Sequence, residues 1–97
     1  MLEQFLASDP ADSFSRYALA LELEKEGRPG DAITQLKEVI DRDSGYVAAY
    51  YHLGRLLARD GRIEEAGDTY RRGIEIASSA GDARARSEME EALGLLE

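Results

Sequence analysis

His52, Arg55 and Arg59 are spaced i, i+3 and i+7, and at about 100° per residue a helix gathers them into one basic strip. In a chain of net charge −8, such a strip is suited to gripping carboxylates, because guanidinium groups make charge-assisted, bidentate bonds to them. Arg84 and Arg86 extend it from further along the chain. The alternative is pairing with neighbouring Glu and Asp side chains, which is common on exposed surfaces and contributes little. The same helical spacing puts Phe14, Tyr17 and Leu21 on one side of an early helix, and Ala48, Tyr51, Arg55 and Ala58 on the matching side of a later one. Tyr17 and Tyr51 offer an apolar ring with a polar tip, the composition of a recognition anchor.

Catalytic chemistry has no comparable signal. There is one histidine and no cysteine, so a nucleophile activated by an oriented base is not encoded. Glu22/Glu24/Glu26 and Glu88/Glu90/Glu91 read as solvated helix faces rather than paired catalytic carboxylates or a metal site. Gly27 and Gly30 lack the Lys-Ser/Thr ending of a phosphate loop. The expectation is a protein that is no enzyme, with no cofactor and no metal.

These side chains must be positioned by helices. The 97 residues are 43% apolar and 33% charged, normal for one folded domain. The acidic balance argues against nucleic acid, whose phosphates require a dense basic surface. No run approaches the roughly 18 apolar residues of a membrane span, and the start Met-Leu-Glu-Gln-Phe lacks the character of a signal peptide. A cytoplasmic protein without membrane contact is expected.

Tyr17, Leu19, Leu23, Gly27, Arg28, Ala32, Ile40 and Ser44 recur as Tyr51, Leu53, Leu57, Gly61, Arg62, Ala66, Ile74 and Ser78, each 34 positions later. A period of this size signals stacked supersecondary units. Ala32, Ile33, Leu36, Val39 and Ile40 form one apolar stripe, as do Ala66, Tyr70, Gly73, Ile74 and Ala77. Tyr50, Leu53, Gly54 and Leu57 line the core face of the helix before the second stripe. Gly27 and Gly61 stand where a left-handed helix terminus is wanted, and Pro29 is tolerated in a first turn. Gly54 and Gly73 are costly inside helices, by about 1 kcal/mol each, and make sense where helix axes approach closely. Tyr46 and Tyr50 read as core. A last helix from about Asp82, its N-cap, places Ala85, Met89, Ala92, Leu93 and Leu96 on one side.

This pattern resembles the tetratricopeptide repeat. The second unit supplies Tyr50, Leu53, Gly54, Leu57, Ala66 and Tyr70, and the first supplies Leu19, Ala20, Leu23, Ala32 and Leu36. Departures are Arg16 where a large aromatic is usual, Val39 and Gly73 where Ala is usual, and Ser44 and Ser78 in place of Pro. Carried backwards, the register puts Phe5, Leu6, Asp9 and Pro10 on the closing turn of a preceding repeat. About two extra residues fall after Ala80, ahead of the last helix.

The resemblance implies an all-α fold, an α-α superhelix or helix-turn-helix solenoid of about five helices plus a short N-terminal helix. Its single domain, 1–97, divides into a partial repeat over 1–12, repeats over 13–46 and 47–80, and a capping helix over 81–97. It also implies a concave groove lined by the first helix of each repeat. There Phe14, Tyr17, Leu21, Tyr51, His52, Arg55 and Arg59 would hold a protein or peptide partner bearing acidic groups. Whether an N-terminal helix with Leu2, Phe5 and Leu6 folds over that side stays open. The clamp with which some members hold a chaperone's terminal carboxylate is not expected, because Ala18 and His52 stand where its Asn residues belong. The alternative function is a self-associating unit pairing through exposed repeat ends, so a monomer or a weak homodimer is expected.

Overall fold

The computed structural model describes residues 12–96, and the readings on Leu2, Phe5, Leu6, Asp9 and Pro10 lie outside them. The described residues form five α-helices and no strand. The chain divides after Tyr46 into two compact units.

The first unit is a helical hairpin of α1 (Ser13–Lys25) packed on α2 (Pro29–Arg42). Asp12 caps α1: its Oδ1 accepts from the backbone N–H of Phe14 and Ser15, and its Oδ2 from the Ser15 hydroxyl at 2.8 Å. That satisfies donors which the first turn otherwise leaves without helical partners. The Ser15 hydroxyl first, then the backbone donors, holds the Asp12 carboxyl below its ordinary value of 3.8. Leu19, Ala20 and Leu23 of α1 are buried, as are Ala32, Ile33, Leu36, Val39 and Ile40 of α2. Arg16, standing where the repeat pattern wants a large aromatic, reaches across the hairpin and donates to Gln35 Oε1 at 2.8 Å.

The second unit comprises α3 (Val47–Arg59), α4 (Ile63–Ala80) and α5 (Ala83–Leu96). α4 packs against both α3 and α5, and α5 also touches α3. Tyr50, Leu53, Leu57, Ala66, Tyr70 and Ala77 are buried beside Met89 of α5. Two glycines make these approaches possible. A Cβ on Gly54 would run into the Tyr70 ring, and one on Gly73 would lie 2.5 Å from Met89 Sδ and 2.6 Å from Tyr50 Cβ.

The turn between helices is built identically in the two units. Gly27 and Gly61 have φ of 77° and 80°, left-handed values that cost other residues strain. In each turn the following Arg N–H reaches back to a Leu carbonyl, Arg28 to Leu23 and Arg62 to Leu57, both at 2.9 Å. This closure satisfies a carbonyl the helix end would otherwise orphan. The arginine side chains repeat as well: Arg28 pairs with Asp31, and Arg62 with Glu65, each at 2.7 Å.

After α4 the period breaks. Thirty-four residues beyond Val47, the start of α3, lies Gly81, yet α5 begins only at Ala83. α4 has 18 residues against 14 in α2, the gain coming half from the two extra residues and half from a connection of two residues (81–82) where the first unit's helix is followed by four (43–46). Ser78, standing where the pattern has Pro, retains its N–H and lets the helix continue to Gly81, which ends it at φ 73°.

Candidate functional site

On α3, Tyr50, Leu53 and Leu57 point into the second unit, and one residue's rotation turns Tyr51 away from that core to a half-buried position. Its ring meets the His52 ring edge-on, with centroids 5.5 Å apart and planes at 79°, and tilts toward Tyr70 of α4 at 6.5 Å. Burial pushes the Tyr70 phenol above its ordinary range, with Tyr51 adding to the shift and Arg55 opposing it.

Arg55 Nη2 lies 3.1 Å from His52 Nδ1. A guanidinium can only donate, so in this contact Nδ1 is the accepting side. Within the expected basic strip, His52 and Arg55 are thus directly paired. His52 lends Arg55 a lone pair, and Arg59 lies exposed in the last turn of α3.

A cleft of about 230 Å³ opens between α3 and α5, lined by Val47, Ala48, Tyr51 and His52 on one side and by Asp82, Ala85 and Glu88 on the other. Asp82 is fixed there by capping α5, its Oδ1 accepting the Ala85 N–H at 3.0 Å. Met89, fully buried against Gly73, sets the rotation of α5. Glu88 pairs with Arg84 at 3.5 Å, and Arg86 with Glu90 at 3.6 Å. Arg84 and Arg86 thus engage acidic groups of their own helix.

In the first unit, Phe14 is 66% exposed, while Tyr17 and Leu21 are half-buried. The Tyr17 ring packs against Tyr46, with centroids 5.2 Å apart. Tyr46, read from the sequence as core, is itself half-buried and serves as that ring's support.

Spacing along α3 identified Tyr51, His52 and Arg55, which the fold does bring together. It missed Tyr70, Asp82 and Glu88. Tyr70 lay in a core stripe, and nothing in the stripe reveals that its ring edge reaches Tyr51. Asp82, Ala85 and Glu88 do recur at i, i+3 and i+6, a face signal that an N-capped last helix makes readable. Among the described residues, no group of three or more His, Cys, Asp or Glu is placed to hold a metal ion. No helix among them is long and apolar enough to cross a membrane.

Paired helices, glycine-closed turns and a repeated side-chain grammar define an all-α helical-repeat protein. A tetratricopeptide repeat family profile matches residues 17–83, and the chain belongs to that family. It is similar to a tetratricopeptide repeat domain protein from Salinibacter ruber in two structures. The solution structure gives 42% identity and a TM-score of 0.87, covering 92% of this chain and 90% of that one. The crystal structure gives 40% identity and a TM-score of 0.84, covering 88% and 96%. A protein from Bordetella parapertussis is similar at 26% identity and a TM-score of 0.83, covering 98% of this chain and 83% of that one. No curated protein sequence shows a significant match. Membership in this family makes the chain, in general terms, a protein–protein interaction module.

Proposed function

We propose that the chain is a non-enzymatic recognition module that binds a protein or peptide segment through the first helices of its repeats, with Tyr51 as the principal anchor. The observation that carries this reading is the half-buried Tyr51 ring forming the wall of an open cleft while its neighbour Tyr50 fills the core. Aromatic residues held rigidly at a partly desolvated position are the side chains that dominate binding energy at interfaces. Phe14, Tyr17 and Leu21 add apolar contact from the first repeat. His52 and Arg55 form one polar unit, and acidic groups of a partner meet Arg55 and Arg59 rather than the cleft itself.

Site-specific photo-crosslinking tests this. A photoreactive residue at Ala48, exposed on the lip of the cleft, should trap a discrete protein in extracts of the native organism. The same residue at Glu75, exposed on α4, should not. Equal labelling from both positions, or none from Ala48, contradicts the reading.

A second reading, self-association, is favoured by Ile63 and Leu95, which are 45% and 84% exposed. Light scattering across a concentration series separates the two, since association makes the apparent mass rise with concentration.

A further inference from the structure

We propose that the cleft between α3 and α5 receives a lysine or arginine side chain of the bound segment, a specificity that rests on the recognition reading above and extends it. Three observations combine. The acidic residues Asp82 and Glu88 line the cleft together with Tyr51, and no Lys or Arg is among its lining residues. The one imidazole there is already engaged, its Nδ1 lying 3.1 Å from Arg55 Nη2. At about 230 Å³ the cleft is smaller than the roughly 300–1,000 Å³ of sites for whole small molecules, and it suits one long side chain.

The chemistry follows from these parts. Val47, Ala48 and Ala85 provide an apolar channel for a methylene stem, the arrangement by which long cationic side chains bury their carbons and keep the charged end polar. A cation seated against the Tyr51 ring gains cation–π attraction as well. Asp82 keeps acceptor capacity beyond its capping bond, since a carboxylate offers about four lone-pair sites. Glu88 is engaged by Arg84, but that arginine is 90% exposed, so the pair is weak and a better-seated cation displaces it. A net charge of −8 favours the approach of a basic segment.

The test is a ¹H–¹⁵N titration of the full chain with three acetylated, amidated peptides, Gly-Leu-Ser-Xaa-Ser-Leu-Gly, in which Xaa is Lys, norleucine or Glu. The Lys peptide should shift the amides of Val47, Tyr51, His52 and Ala85 and bind about fivefold more tightly than the norleucine peptide, with the Glu peptide weaker still. Asp82→Asn with Glu88→Gln should erase the Lys advantage while the fold persists, because Asn caps a helix as well as Asp does. Arg84→Ala should enlarge the advantage. If all three peptides shift these residues equally, the cation assignment is wrong and the recognition reading stands. If none of them shifts α3, both are wrong.

Discussion

The ring of Tyr70 occupies the space that a Cβ on Gly54 would need. The contact joins the core of the second unit to its surface, because the same ring meets Tyr51 at 6.5 Å. Gly54→Ala should therefore destabilise the protein despite a gain in helix propensity of about 1 kcal/mol, since overpacking a tight site costs about 1–3 kcal/mol. A net loss of 1 kcal/mol lowers Tm by roughly 4–8 °C in a domain of this size, which thermal circular dichroism resolves. Pairing it with Tyr70→Leu should cost less than the two changes summed, because residues in contact couple.

Gly73 and Gly94 provide a contrast within adjoining helices. A methyl on Gly73 would press on Met89 Sδ and Tyr50 Cβ, whereas one on Gly94 would meet nothing within 4 Å. Gly73→Ala should lower Tm, and Gly94→Ala should raise stability by about 0.5–1 kcal/mol. Equal effects of the two would contradict the close crossing of α4 with α3 and α5.

Backbone and charge make separable contributions to the turns. Gly61→Ala must accept φ near 80° and should cost about 1–2 kcal/mol. Arg62→Ala removes an exposed pair with Glu65 and should cost no more than about 1 kcal/mol. Gly27 and Arg28 should behave alike in chemical denaturation, because their turn has the same bonds.

Much of this architecture was legible in the residues themselves. Two copies of Gly-Arg at a fixed period announce the turns, and the stripe from Ala32 to Ile40 announces a helix with a single buried face. The cost of Gly54 and Gly73 in helix interiors pointed to close packing, which Tyr70 and Met89 supply. The candidate site was only half legible. Helical spacing gathers Tyr51, His52 and Arg55, but the placing of His52 and Glu88 on one cleft depends on how α5 returns along α3, and neither spacing nor composition encodes that. The strip was expected to be basic because formal charges were added along one helix. The contact of Arg55 with His52 and the acidic residues that another helix brings to the cleft are what that addition leaves out.

Acid sensitivity should be traceable to Asp12. Its carboxyl is held below the ordinary value of 3.8 in the folded chain by Ser15. Its contribution is therefore present above the unfolded value and is lost as pH falls through the lower folded one. Asp12→Asn, which can still cap, should flatten the decline of stability between about pH 5 and the folded value. Urea midpoints measured at a series of pH values check the slope, and an unchanged slope would contradict the assignment.

The recognition surface is tested most directly by titrating the crosslinked partner against wild-type protein, Tyr51→Ala and Arg55→Ala, with circular dichroism confirming that each variant is folded. Loss of an anchor at the centre of an interface should weaken binding at least tenfold for Tyr51→Ala, and to a smaller extent for Arg55→Ala. Unchanged affinity in both folded variants would contradict the assignment of this face of α3 as the binding surface.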